Sequence, residues 1–447
     1  MKTKNIREIA LETLFSIEKN QSYSNLLLNK MINKHQIIGK DIGLLTEIVY
    51  GTIQRRDTLD YYLTHFLKKK NKLELWVLIL LRISVYQMVY LDRVPEHAVI
   101  YEAVEIAKRQ GHKGISSMVN GVLRTIQREG VPETEKIKDP IKRLAIETSH
   151  PEWLVNRWVQ QLGFDEAKKM CDINLTPPPQ TARVNGTKIT VEQLLENFTQ
   201  KGIDATTGSL APEAIKTNQG NLAHTDAYKQ GLVTIQDESS MLVARSLGIN
   251  EHDHILDSCA APGGKSTHIA ELLNNTGQVV CLDLHVHKVQ LINEQIERLQ
   301  LKNVITKVLD SRKVQDYYQL ESFDKILVDA PCSGFGVIRR KPDIKYVKQE
   351  ADIKNLASIQ LAILQAVAPL LKKGGTLVYS TCTIDQEENS DVIQKFLENH
   401  SEFRVDESIR NRLPEKLQPF ISKGQVQIYP QYFGTDGFYI ASLRKQV

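Results

Sequence analysis

Residues 254–266 read HILDSCAAPGGKS: an apolar run that stops at Asp257, a turn of Ala, Pro and Gly, and then a helical pattern from Thr267 to Leu273. An apolar run of this length bounded by turn residues predicts a strand, and the glycines let backbone approach a bound group where the helix opens. Four further runs repeat the design: QVVCLDL (278–284), VITKVLD (304–310), DKILVDA (324–330) and GGTLVYSTC (374–382), with amphipathic helical segments between them. Five such runs predict a mostly parallel sheet covered on both faces. Ligands of such sheets sit at the carboxyl ends of the strands. Here the runs end in Asp257, Asp283, Asp310, Asp329 with Cys332, and Thr381 with Cys382.

The turn excludes two familiar phosphate sites. GGKS suggests a P-loop, but GxxxxGK[ST] requires glycine at position 259, which is Cys, and a GxGxxG dinucleotide fingerprint is absent. Asp283 ends the second run where it can accept from both hydroxyls of a ribose, and Asp310 ends the third where it can take the amino group of an adenine. A ribose, an adenine and no phosphate cradle point to S-adenosylmethionine. Singly each aspartate is also a common helix cap or turn former.

Outside this region the chain changes character. Ile6, Ala10, Leu14 and Ile17 have helical spacing, and helical patterns recur at 73–91, 96–110 and 115–127, so the first 130 or so residues read as all-helical. Polar residues 130–150, with Pro132 and Pro140, and the run Thr176-Pro-Pro-Pro179 are read as linkers. Between Pro179 and Gly231 a strand (181–184), a helix (191–200) and a second strand (214–217) make a small α/β unit. The expected division is 1–140 helical, 141–230 linker and small α/β (RRM-like) unit, 231–447 the large α/β domain.

Composition is that of a folded, soluble chain: 447 residues, 41% hydrophobic and 25% charged. No secretory signal is visible in MKTKNIREIALETLF, and the apolar stretch Leu75 to Leu91 is interrupted by Arg82 and Gln87, which predicts a buried helix and no membrane span. Cys171, Cys259, Cys281, Cys332 and Cys382 show no CxxC spacing, which suits reduced thiols in a cytoplasm. Residues 1–140 carry 22 Lys+Arg against 16 Asp+Glu, whereas the remainder carries 35 against 37. A basic front half suggests a polyanionic partner such as RNA, or equally a solvated helical surface.

Two reduced cysteines beside a methyl donor suggest a particular chemistry. Carbon 5 of a pyrimidine is not nucleophilic until a thiolate adds at carbon 6, and a base must afterwards remove the carbon 5 proton so that the thiol can leave. Cys332 and Cys382 both follow strands and open onto one cleft if those strands are neighbours, while Asp329 is placed to bind the pyrimidine at N3 and its amino group. Cys281, inside QVVCLDL, and Cys171 read as buried small hydrophobes.

CAAPGGKS, the Asp283 and Asp310 strand ends, DAPCSG and STCT together resemble motifs of the RNA cytosine C5 methyltransferase family; QDESS (236–240) and GTDGFYIASLRK (434–445) also look like family elements. SSMVNGVLRTI (116–126) resembles the last core helix of the NusB family, small helical RNA-binding proteins. With that front the chain is similar to the RsmB branch (Sun or Fmu), bacterial 16S ribosomal RNA enzymes. The resemblance implies a NusB-like all-α domain, the small α/β unit and a Rossmann-like class I methyltransferase domain. It also implies that Cys259, Ala260, Ala261, Pro262, Gly263, Gly264, Lys265, Asp283, Asp310 and Asp329 line the S-adenosylmethionine site. DNA cytosine methyltransferases take their nucleophile from a Pro-Cys pair, which here would be Cys332. The RNA family takes it from Thr-Cys, so the resemblance makes Cys382 the nucleophile and Cys332 the group that assists breakdown of the adduct.

A paired cytosine cannot present carbon 6 to a thiolate, so the target is single-stranded or flipped. Arg339, Arg340, Lys341 and Lys345, in the loop after Cys332, are the expected phosphate ligands. The histidine pairs 252/254 and 285/287 lack a third ligand at suitable spacing, so no metal is expected. The expected partner is RNA, 16S ribosomal RNA or an early small-subunit assembly intermediate, in the cytoplasm. Transfer RNA as substrate, and a non-catalytic RNA-binding assembly or antitermination factor, are the alternatives.

Overall fold

The computed structural model describes residues 5–20, 24–67, 73–217 and 220–447. It divides into two compact units, residues 1–176 with 338–348, and residues 177–337 with 349–447.

The first unit is helical. Ile6–Asn20, Ser24–Lys34, Lys40–Gln54, Arg56–Phe66, Leu75–Tyr90, Glu96–Gln110 and Lys113–Glu129 share one apolar core. Leu75–Tyr90 is its axis, buried along Val77, Ile79, Leu80, Leu81, Ile83 and Val85, as a helix apolar on nearly all faces predicts. Arg82 is tolerated inside because Asp60 takes two of its N–H groups at 2.7 and 2.8 Å and Glu18 a third at 2.6 Å.

The expected linker at 130–150 is corrected. Pro140 does not break structure but starts it: Asp139 accepts from the Lys142 N–H at 2.8 Å, and proline occupies the first turn of helix Pro140–Thr148, where no intrahelical donor is needed. Helices Glu152–Leu162 and Phe164–Asn174 follow, so the helical unit extends to residue 176 and not to 140. The break at Thr176-Pro-Pro-Pro179 is where the second unit begins.

The second unit opens with a four-stranded antiparallel sheet, β1 (Gln180–Val184), β2 (Thr206–Thr207), β3 (Ala214–Thr217) and β4 (Val233–Ile235), in the order β2-β3-β1-β4. Helix Val191–Gln200, held at its start by a Thr190/Gln193 capping box, lays Leu194 and Phe198 on Ala182, Val184 and Ile215.

The five apolar runs become β5 (His254–Asp257), β6 (Gln278–Asp283), β7 (Val304–Val308), β8 (Phe323–Asp329) and β9 (Leu371–Thr381), all parallel. Short strands β10 (Phe403–Val405), β11 (Ile421–Ser422) and β12 (Gln425–Ile428) precede β13 (Phe438–Lys445), which runs antiparallel beside β9. The sheet order is β11-β12-β13-β9-β8-β5-β6-β7, with β10 on β13. Strand order therefore reverses at β5, flanked by β8 and β6, and the crevice of such a sheet lies outside the carboxyl ends at that point. Cys281, on β6, is fully buried, as is Cys171 in the helical unit, where burial pushes the thiol up to about 12. Glu350–Leu370 is the one described segment long and apolar enough to cross a bilayer by length and composition, and its Ile363, Leu364 and Val367 pack into the core of the sheet.

Candidate active site

Register places the two thiols together. β8 and β9 run side by side with Asp329 opposite Ser380, so the segments that leave them start from adjacent points. Cys332 Sγ lies 3.4 Å from Cys382 Sγ, and both residues are partly exposed and free of disulfides. Two thiols this close cannot both ionise easily. Hydrogen bonding to Cys382, burial, and the nearby carboxylates of Glu388 and Asp329 hold the Cys332 proton on, well above the ordinary thiol range.

Asp329 is gripped from both sides. Lys265 Nζ donates to one carboxylate oxygen at 2.7 Å and Ser380 Oγ to the other at 2.8 Å. Burial pulls the Lys265 ammonium down, but Asp329, and more weakly Cys382, carry it above its ordinary value, so a positive charge stands beside the thiol pair. The Phe438 ring on β13 lies 5.0 Å from the same ammonium.

The loop after Cys332 is fixed by close backbone approach. Gly336 N–H donates to Cys382 O at 3.0 Å and Gly437 N–H to Gly336 O at 2.8 Å. A Cβ on Gly336 would fall 1.9 Å from the Gly437 carbonyl oxygen, so only glycine fits. The motifs QDESS and GTDG meet as well, because the Asp436 N–H donates to Asp237, which also caps helix Glu238–Ser246.

Cys259 to Lys265 form the turn between β5 and helix Gly264–Leu272. Ala260 N–H is tied to Leu282 O at 2.8 Å, Ala261–Pro262 is a cis peptide, and Gly263 sits at φ 102°, with Ile292 Cα 3.3 Å from where a Cβ would stand. Beneath the turn Asp257 is fully buried, accepts from Ser266 Oγ at 2.6 Å, and is raised by burial to about 7. Burial likewise pushes the Cys259 thiol up, so it is not a ready nucleophile.

These residues suit an adenosyl group. Asp283 has one oxygen on His285 N–H at 3.1 Å and its second has no hydrogen bond among the described residues, while the next side chain, Leu284, is 52% exposed and offers an apolar face. Asp310 caps the turn Ser311–Asp316 and pairs with Arg312 at 2.7 Å, which lowers its pKa. It therefore holds the cap role that an aspartate after a strand often takes.

Family models cover three parts of the chain: the NusB family residues 4–128, a ferredoxin-like domain of RsmF/B-like methyltransferases residues 150–222, and 16S rRNA methyltransferase RsmB/F residues 244–444. The Bacillus subtilis (strain 168) protein named probable ribosomal RNA small subunit methyltransferase B is 55% identical over 446 residues, with 100% of both chains covered. The chain belongs to the RsmB/F family. Another relative, ribosomal RNA small subunit methyltransferase B of Photorhabdus laumondii, is 33% identical, with 99% of each chain covered. Among solved structures, a protein titled PH0851 superposes with TM-score 0.84 at 26% identity, covering 100% of this chain and 99% of that one. NSun6 from Pyrococcus horikoshii, solved with SFG, gives TM-score 0.59 at 25% identity over 66% of this chain and 98% of that one. The RsmB/F assignment bears out the NusB-like front and the methyltransferase domain, and the small sheet expected to be RRM-like is of the ferredoxin-like kind.

The basic loop of this RsmB/F chain departs from expectation. Ile338–Lys348 belongs to the helical unit. Lys345 is fully buried, donates to Gln54 O at 2.9 Å, and is pushed down to about 7 by burial. Arg339 is 8% exposed and donates to Thr176 O and Oγ1, both at 3.2 Å. Both side chains are bound into protein, so they are withdrawn as phosphate ligands; Lys341 is exposed and Arg340 half-buried. His254 bonds Ser322 O and Gln278 and stacks on Phe323, and no cluster of metal-ligating side chains occurs among the described residues.

Sequence reasoning missed Ser380, Glu388 and Asn389. Glu388 is fully buried and accepts from Ser333 N–H at 2.9 Å; Asn389 accepts from Thr381 Oγ1 at 2.6 Å and donates to Thr383 O at 3.1 Å. Ser380 is the first residue of STCT, so that motif carried its signal; the signal of Glu388 and Asn389 was faint, since QEEN (386–389) reads as a solvated turn.

Proposed function

We propose that this protein is a cytoplasmic, S-adenosylmethionine-dependent methyltransferase that modifies carbon 5 of a cytosine in 16S ribosomal RNA through a covalent adduct with Cys382. The observation that carries the reading is the pair of thiols 3.4 Å apart beside the Lys265–Asp329 ion pair. The names of the relatives support ribosomal RNA as substrate. Cys259 to Lys265 and Asp283 are the residues that would hold the methyl donor, which supplies an electrophilic methyl group when bound, and Asp310 would join them by exchanging its Arg312 contact for the adenine amino group.

The remaining work belongs to the side chains. The Cys382 thiolate adds to carbon 6, and the ring electrons shift to carbon 5. Asp329, oriented by Lys265 and Ser380, binds the N3 edge and amino group and stabilises the adduct. With Cys382 tied up as a thioether and no longer opposing ionisation of its neighbour, Cys332 releases its own proton to water and then takes the carbon 5 proton of the methylated adduct, directly or through a water; the electron pair returns to the ring, the carbon–sulfur bond breaks, and Cys382 leaves as thiolate.

Cys382→Ala is expected to lower methyl transfer by on the order of 10³-fold or more, whereas Cys332→Ala accumulates a covalent RNA complex on a denaturing gel. Turnover in Cys382→Ala with no adduct in Cys332→Ala would reverse the assignment. Sequencing the trapped RNA, together with methylation profiling of a deletion strain, identifies the substrate. A lost transfer RNA mark with ribosomal RNA unchanged would overturn the choice of RNA.

A further inference from the structure

The adduct-releasing thiol sits between Pro331, which has no N–H, and Ser333, in a segment after β8 that forms no helix or strand until Phe335. Something must hold it at a fixed distance from Cys382, because a misplacement of about 1 Å costs on the order of 10²-fold in rate. The peptide groups on both sides of Cys332 are gripped from behind. Ser333 N–H donates to Glu388 Oε2 at 2.9 Å, and Gln360 Nε2 donates to Pro331 O at 2.9 Å and to the same Glu388 oxygen at 3.0 Å.

Both side chains are fully buried, and Glu388 Oε1 and Gln360 Oε1 have no hydrogen-bond partner among the described residues. Burying a carboxyl with an unpaired oxygen is unfavourable, and an apolar residue would fill the space without that penalty. Such a penalty persists where the polar contact is needed. The neighbouring residue extends the device to the other thiol: Asn389 holds Thr381 Oγ1 and Thr383 O on either side of Cys382, and Ser333 Oγ lies 2.8 Å from Thr383 Oγ1. Tyr379 on β9 anchors the turn by donating to Glu388 O at 2.6 Å. Burial raises the Glu388 carboxyl, in keeping with its enclosed position.

We propose that Glu388 and Gln360 are positioning residues that bracket Pro331-Cys332-Ser333 and so set the Cys332 thiol for adduct release, while Asn389 fixes Cys382 from the same turn. This rests on the division of roles proposed above. Neither bracket residue touches RNA; they act through Cys332.

The test uses the full chain with Glu388→Ala, Glu388→Gln and Gln360→Leu, reading three quantities for each: covalent RNA adduct, multiple-turnover methyl transfer and thermal stability. Removing the bracket is expected to leave adduct formation intact or raised while turnover falls on the order of 10²-fold. Glu388→Gln, which keeps an acceptor for Ser333 N–H, recovers most of the loss. A merely structural role would lower adduct and turnover together and give no recovery, and that result, like unchanged turnover, overturns the proposal. If Glu388→Ala does not fold, Gln360→Leu, which loses the contacts to Pro331 O and Glu388 but leaves the Ser333–Glu388 hydrogen bond, decides by the same split. Cys332→Ala run in parallel separates the two claims: no adduct there defeats the division of roles, whereas adduct there but none in the bracket variants defeats the bracket alone.

Discussion

Lys265 and Lys345 are both withdrawn from water, and they are driven in opposite directions. Lys265 faces the Asp329 carboxylate at 2.7 Å and its pKa rises, so it stays charged. Lys345 faces a neutral carbonyl, Gln54 O, with Arg55 and Arg56 nearby, and burial brings it to about 7. Burial depresses an ammonium in either place, and the sign of the outcome is set by whether a carboxylate stands within hydrogen-bonding distance. Where the charge is kept, it stands in an ion pair beside the two thiols. Where it is weakened, the amine has become part of the packing.

The largest effect expected from breaking this contrast is at the kept charge. Asp329→Asn leaves the shape of the site but removes the negative charge that faces Lys265 and, on the mechanism proposed above, the carboxylate that binds the pyrimidine edge, and kcat/KM for methyl transfer is expected to fall about 10² to 10³-fold. A change within a few-fold would show that the pair is not part of the chemistry.

Next comes a pH effect that separates the two lysines. Lys345 is depressed in the folded state from 10.5 to about 7, so the unfolded chain binds the additional proton between those values and stability rises with pH across that window. From pH 7 to 9 the helical unit should gain about 2 kcal/mol, and Lys345→Met should abolish the slope. Lys265, raised above 10.5, contributes stability that is fully present below that value and is lost only at still higher pH, so it adds nothing in this range. All three tryptophans, Trp76, Trp153 and Trp158, lie in the helical unit, so urea titrations of the intact protein followed by tryptophan fluorescence read this unit selectively.

Smaller changes sharpen the same picture. Tyr346 OH lies 2.8 Å from Ser149 Oγ and donates to Ser149 O at 3.0 Å, and Tyr346→Phe should lower the stability read by that probe by about 1 kcal/mol. Lys341 keeps its ammonium in solvent. Lys341→Ala is expected to reduce the salt dependence of RNA binding by about one unit, whereas Lys345→Met leaves it unchanged. Equal slopes in the two variants would contradict the division between surface and interior.

The sheet was legible because each of its five apolar runs ends in a polar residue at the same place, a pattern that parallel topology both explains and requires. The thiols were legible for the same reason. What escaped notice is held by partners distant in sequence. Lys345 is buried by Gln54, 291 residues away, and Arg339 by Thr176, 163 residues away, so a run of Arg and Lys looks solvated until the chain is folded. Pro140 was read as a breaker because local composition does not distinguish the first turn of a helix from a gap between helices. Glu388 and Gln360 carry no motif; they are defined only by the peptide groups they grip.

The segment Ile338–Lys348 leaves the methyltransferase unit five residues after Ser333, enters the helical unit, and returns at Gln349. The chain thus passes between the units three times, at 176, at 337 and again at 348. A front domain joined once is a detachable module. This one is stitched, and a truncated protein starting at residue 177 would expose the interior faces of Lys345, Tyr346 and Asp343 on the very strand of chain that continues from Cys332. Loss of methylation after such a truncation would therefore measure an unravelled loop as much as a missing RNA grip, and gene fusion or exchange of the helical half would have to carry those eleven residues with it.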